Sequence, residues 1–120
     1  MCLILMAYRA HPGYELLVAA NRDEFYDRPT APARFWDDFP DILAGRDLAL
    51  GGTWLGISRS GKFAAVTNYR DMTQPKGSIS RGFLVSDFLN SDISSEQYLE
   101  QIASRSEKYT GFNLLFGELS

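Results

Sequence analysis

Residue 2 is the only cysteine of the chain, directly behind Met1. Methionine aminopeptidases remove Met1 when the next side chain is small. At Cys2 this would leave a thiol and a free α-amine on one residue. Such an amine has a reference pKa of about 7.7–8.0, so near neutrality part of it can accept a proton. A residue of this kind can act as its own base in acyl transfer. Read the other way, Cys2 is a small apolar side chain at the start of a strand. Position alone leaves both readings open.

The tetrad Asn21-Arg22-Asp23-Glu24 directly follows an apolar run. If that run is the second strand of a hairpin, its end returns to the start of the first strand, beside Cys2. Arg22 can then stabilise a thiolate or grip a substrate carboxylate through two N–H groups. Asp23 can accept a hydrogen bond from the α-ammonium. The alternative is a solvated strand end with a local Arg–Asp pair that contributes little. Asn68 stands at the end of another apolar run, ahead of Tyr69-Arg70-Asp71. A side-chain amide there can donate to a developing oxyanion, where one donor is worth roughly 3 kcal/mol; the alternative is a turn-forming asparagine. The candidate catalytic residues are thus Cys2, Asp23 and Asn68. The candidate substrate-binding residues are Asn21, Arg22, Glu24 and Arg70.

Composition narrows the chemistry further. One cysteine and one histidine, His11, cannot form an internal disulfide and fall short of a zinc ligand set, so no metal or cofactor is expected. Gly51-Gly52-Thr53-Trp54-Leu55-Gly56 fits neither a P-loop nor a dinucleotide fingerprint. Asp37-Asp38 with Asp41 lacks calcium-loop spacing. A net charge of −3 argues against a broad nucleic-acid surface. No run reaches the roughly 20 apolar residues needed to span a bilayer, and no cationic stretch marks a signal peptide. The expected address is cytoplasmic, and the expected partner a small-molecule substrate or ligand.

These side chains need elements to position them. The chain has 120 residues, 45% of them hydrophobic, enough for one domain and one modest core. Leu3–Tyr8 and Tyr14–Ala20 read as an antiparallel hairpin, turned by His11-Pro12-Gly13 with glycine supplying a positive φ. Residues 21–41 read as a loop, because Pro29, Pro32 and Pro40 break any period. Thr53–Ser58 and Lys62–Asn68 form a second hairpin around Ser60-Gly61. Residues 69–80 read as irregular. Ser80 is expected to cap a helix whose Phe83, Leu84, Val85 and Phe88 share a face. Ser94-Ser95-Glu96-Gln97 is a capping box, followed by Tyr98, Leu99, Ile102 and Ala103 at helical spacing, with Gly111 as the stop. Phe112–Gly117 begins a last strand with no later element to pair with it. The class is α+β, antiparallel sheets with helices on one face, and the single domain reads as incomplete. An exposed sheet face or edge of this kind invites a homo-oligomer.

From the tetrad outward, the sequence resembles a known family. Met1-Cys2-Leu3-Ile4, Ala19 through Phe25, Arg28-Pro29-Thr30, Ala44-Gly45-Arg46-Asp47, Gly51 through Gly56, Ala65 through Arg70, Ser80-Arg81-Gly82 and Gly111 through Leu115 together resemble the NRDE family, also called the transport and Golgi organization 2 family. The family is typically longer, and the chain corresponds to its N-terminal half. The family is in turn similar to cysteine N-terminal nucleophile hydrolases, which have a four-layer αββα sandwich and cleave non-peptide amide bonds. That resemblance implies Cys2 as nucleophile, Asp23 orienting the α-amine and Asn68 as the oxyanion donor. It also implies a second possibility, a non-catalytic binding or trafficking protein for haem or acyl metabolites. Eukaryotic members are linked to Golgi organisation and secretion.

Overall fold

The computed structural model describes residues 3–68, 80–109 and 111–119. Its element order is β1 (Leu3–His11), β2 (Tyr14–Asn21), β3 (Thr30–Phe35), β4 (Ile42–Asp47), β5 (Leu55–Ser58), β6 (Lys62–Asn68), α1 (Gly82–Leu89), α2 (Ser95–Ala103) and β7 (Phe112–Glu118). β1 and β2 form a sheet of their own, while the other strands make a five-stranded sheet in the order β3-β4-β5-β6-β7. All pairings are antiparallel. The fold is therefore mixed α/β, with two antiparallel sheets and two helices.

Both expected hairpins form. In the first, the left-handed residue is Arg9 (φ 52), within a register shift between Tyr8 and His11, rather than Gly13. His11 Nδ1 accepts from the Gly13 N–H at 3.0 Å and holds the turn instead. In the second, Gly61 takes the positive φ (91°) that the tight turn needs.

Residues 21–41 are not wholly a loop. β3 lies within them and pairs with β4, which Ala44-Gly45-Arg46 had concealed through weak strand propensity. Pro32 is tolerated because β3 is an edge strand and its register shifts between Ala31 and Arg34, so no ladder N–H is required of it. The last strand is not left over either: β7 pairs with β6 along its whole length, Lys62↔Glu118 through Asn68↔Phe112. A strand late in the sequence finds its partner far upstream, across both helices.

The helices cover one face of the large sheet. Alternation sends Ile42, Ala44, Ala64 and Val66 to that side, where they pack with Leu84, Val85, Phe88, Leu89, Tyr98 and Ile102. The rings of Phe88, Tyr98 and Phe116 meet with centroids 5.0–5.5 Å apart. Tyr98 Oη donates to Leu84 O at 2.6 Å and so ties α2 to α1. Burial pushes that phenol well above its ordinary pKa. At the start of α2 the capping box forms as the spacing predicts, with Ser94 Oγ accepting from Gln97 N and Gln97 Oε1 from Ser94 N. Two details differ. The N-cap of α1 is Arg81, with Ser80 Oγ accepting from the Gly82 N–H. α2 stops at Ala103, well before Gly111, and Leu99 is 58% exposed although it falls on the expected periodic stripe.

The opposite face of the large sheet is also apolar. The row Phe35↔Leu43↔Ile57↔Phe63↔Gly117 crosses it, and Phe35 and Ile57 stay exposed. The β1–β2 hairpin exposes Leu3, Leu5, Met6, Tyr8, Tyr14 and Leu17. Among the described residues, no helix is long and apolar enough to cross a membrane.

Candidate functional site

The end of β2 returns to the start of β1, as hairpin geometry requires: Leu3 pairs with Asn21 and Ile4 with Ala20. The chain then leaves the ladder, and Arg22, Asp23 and Glu24 run on as irregular backbone. Cys2 and Arg70, two of the candidate residues, lie outside the described residues.

Glu24 organises the loop between β2 and β3. Its Oε1 accepts from the Phe25 N–H at 2.9 Å, while Oε2 faces Arg22 Nη2 at 3.5 Å and Arg28 Nη1 at 3.8 Å. Arg28 then turns to Asp47, at the end of β4. Its Nε donates to Asp47 Oδ1 at 3.2 Å and its Nη2 to Oδ2 at 2.6 Å, a two-pronged pair. Asp47 Oδ1 also accepts from the Ala49 N–H at 3.0 Å. Burial works against this carboxylate, but the hydrogen bonds from Arg28 and Ala49 and the charges of Arg28 and Arg22 outweigh it. They hold Asp47 below the usual carboxylate range. Arg28 is raised in turn, chiefly by its hydrogen bond to Asp47.

The clamp continues into the backbone. Asp47 N donates to Gly52 O at 2.8 Å, and Gly51 N donates to Asp47 O at 2.7 Å. Gly52 lies directly against Gly82, the first residue of α1, and Thr53 N donates to Gly82 O at 3.3 Å. Arg81, one residue earlier, donates from Nη1 to Gly111 O at 3.0 Å. Burial lowers the pKa of its guanidinium, and the nearby charge of Glu24 partly restores it. The path Glu24–Arg28–Asp47–Gly52–Gly82–Arg81 thus closes on itself around the tetrad.

Arg28, Asp47 and Arg81 were absent from the candidate set, since nothing in their spacing couples residues so far apart in sequence. The only signal was their placement beside Pro29, Gly45 and Gly82, where short loops fix a charge rigidly. Asp23 is exposed and makes its own polar contact. Asn68 is exposed at the end of β6, opposite Phe112, and no described contact joins it to the tetrad. His11 is exposed in its turn. Trp36 belongs to the core, its Nε1 donating to Ala44 O at 3.1 Å and Arg46 stacked 4.0 Å from its ring centre. A shallow depression of about 220 Å³ beside it is lined by the Arg46–Asp38 ion pair. Among the described residues, no three His, Cys, Asp or Glu side chains gather to hold a metal ion.

The Arg28–Asp47 pair carries a pH prediction. Asp47 titrates lower in the folded chain than in the unfolded one. Its stabilisation is therefore complete above the unfolded value of about 3.9 and is lost as pH falls through the lowered folded value. Urea unfolding followed by circular dichroism at a series of pH values is expected to show Arg28→Gln less stable than wild type near neutrality. The two should converge in acid. A gap that persists unchanged into acid would assign the effect of Arg28 to packing rather than to this charge pair.

The same segments that build this circuit match known proteins. A family model described as Transport and Golgi organisation 2 covers residues 1–120. The chain belongs to that family. It is 44% identical over 127 residues to the Transport and Golgi organization 2 homolog of Mus musculus, which covers 100% of this chain and 46% of that protein. The Homo sapiens homolog is 43% identical over the same shares. The Drosophila melanogaster Transport and Golgi organization protein 2 is 33% identical over 131 residues, 99% of this chain and 46% of that protein. The chain spans about half the length of the curated relatives it matches. Within this member of the Transport and Golgi organisation 2 family, the tetrad is held at one end by the β1–β2 ladder. From Glu24 onward it is held by arginines from the loop ahead of β3 and from the start of α1.

Proposed function

We propose that this chain carries the nucleophile side of an N-terminal nucleophile hydrolase-like site, with Cys2 attacking a non-peptide amide. The observation that supports this is the register Leu3↔Asn21, which sets the tetrad beside the start of β1, next in sequence to Cys2. After removal of Met1, Cys2 Sγ would attack the amide carbonyl carbon while the α-amine takes the thiol proton. The tetrahedral intermediate would collapse by breaking the C–N bond, with the same proton passing to the leaving amine. Water would then attack the thioester, its proton going to the α-amine, and the acid and the thiol would be released. Asp23 would orient the α-ammonium, Asn68 would donate to the oxyanion, and Asn21, Arg22, Glu24 and Arg70 would border the substrate. In this reading the two apolar sheets are layers of an αββα sandwich, one face covered by the helices and the other faced by a second sheet. The domain of 1–120 is then part of a larger unit.

A second reading has support in the apolar exposure of the hairpin and in the relatives' names. Here the chain binds an acyl metabolite or haem without cleaving it, in service of Golgi transport and organisation.

Intact-mass spectrometry after brief, limiting iodoacetamide treatment at several pH values separates the two. The hydrolase reading expects Met1 removed and alkylation of Cys2 persisting well below the reference thiol pKa of about 8.5. Retained Met1, or a thiol inert in folded protein, moves the chain to the binding reading.

A further inference from the structure

The circuit around the tetrad uses its arginines unequally. Arg28 is committed to Asp47 and Glu24 through all three of its nitrogens. Arg22 meets Glu24 through a single nitrogen at 3.5 Å, beyond good hydrogen-bond length, and Arg81 donates through a single nitrogen to Gly111 O. A guanidinium presents several N–H groups in a planar fork. The remaining ones on Arg22 and Arg81 have no acceptor among the described residues. They are not sealed in the interior: among the described residues, the buried side-chain polar atom without a partner is Arg105 Nε. Both side chains are half-buried, and both reach the same carboxylate, Glu24. Their positions are rigid, because Arg22 follows the β1–β2 ladder and Arg81 precedes the Gly82–Gly52 backbone contact.

We propose that Arg22 and Arg81 together bind the carboxylate of an anionic substrate or product, with Glu24 and the Arg28–Asp47 pair as the fixed wall beneath it. Planar bidentate recognition is what an arginine with unused N–H groups does best, and it suits a carboxylate. Charge selects a monoanion. Arg22, Arg28 and Arg81 are balanced by Asp23, Glu24 and Asp47, so the site holds no surplus of positive charge for a dianion. Hydrogen-bond donors, not net charge, are what the site has in excess. This rests on the hydrolase-like reading only in placing the tetrad beside the reacting group.

The test needs no turnover. In isotope-labelled protein, the arginine Nε–H resonances are followed by NMR during titration with N-acetylglycine, N-acetylglycinamide and inorganic phosphate. N-acetylglycine is expected to shift the Arg22 and Arg81 signals saturably, and the uncharged amide to leave them in place. Arg22→Gln and Arg81→Gln should each weaken binding about tenfold, the loss of one charge-assisted hydrogen bond. Arg81→Lys should retain more binding than Arg81→Gln, and Arg59→Gln, at an exposed site on β5's turn, should bind as wild type. Thermal melts of each variant separate lost recognition from lost fold. Equal shifts with the amide, phosphate binding tighter than N-acetylglycine, or Gln variants that bind as wild type would each overturn the assignment. An inert Cys2 would remove amide cleavage and leave this binding intact, while failed binding with a reactive Cys2 would do the reverse.

Discussion

Gly52→Ala is expected to lower the melting temperature by about 10 °C or more, a loss of roughly 3 kcal/mol from overpacking at a rigid contact. A Cβ on Gly52 would sit 2.6 Å from Gly82 C, 2.8 Å from Gly82 O and 2.9 Å from Gly82 Cα. These are backbone atoms of a helix start, so no side chain can swing away. Relief requires α1 to move off the loop, and α1 is anchored by Leu84, Val85 and Phe88, which are completely buried. Gly51 is the control within the same loop. Its φ of 93° is left-handed, but a Cβ there meets nothing within 4 Å. Gly51→Ala should therefore cost only the backbone strain, about 1–2 kcal/mol. The loop carries Asp47's backbone bonds, so Gly52→Ala should also release the Arg28–Asp47 clamp and flatten the difference between wild type and Arg28→Gln. Equal melts for the two glycine variants would show that α1 and the loop can part at little cost, and that the circuit is loose.

The sequence made legible what depends on neighbours in the chain. Hairpin turns, the capping box of α2 and the apolar alternation of β6 are local patterns, and each forms where its residues predict it. What it hid depends on partners far away. β3 and β4 carry prolines and small or charged residues, and they become strands through pairing with each other and with β5. β7 reads as unpaired in the sequence because its partner lies on the other side of both helices. Leu99 satisfies the helical period yet lies exposed, since α2 touches the core chiefly through Tyr98 and Ile102. The same division holds at the site. The return of the tetrad to the start of β1 follows from hairpin geometry alone. Arg28, Asp47 and Arg81 could not be found that way, because what couples them is a glycine-to-glycine backbone contact between β4's loop and α1.

Lys62→Met should be the most damaging single change on β6, costing about 3 kcal/mol through carbonyls left without a donor. Lys62 is only 6% exposed although it begins a strand. Its Nζ donates to Ser91 O at 2.6 Å, Ser91 Oγ at 3.0 Å and Ile93 O at 2.7 Å, with the Phe88 ring centre 4.8 Å away. The ammonium spends its three protons on the turn between α1 and α2, just past the end of α1 where carbonyls lack helical partners. Ser91 Oγ keeps an alternative use, since it already donates to Phe88 O at 2.8 Å. The Ser91 and Ile93 carbonyls have no other side-chain donor among the described residues. Methionine preserves length and packing against Phe88, so the variant isolates the loss of the donor. Urea unfolding should show a lower midpoint with an unchanged slope, and amide exchange should quicken in residues 90–94 before it does in β6. If Lys62→Met unfolds at the wild-type midpoint, water must reach those two carbonyls. The turn would then be held by the capping box of α2 and by Glu118 Oε1, which accepts from Ser95 N at 2.6 Å.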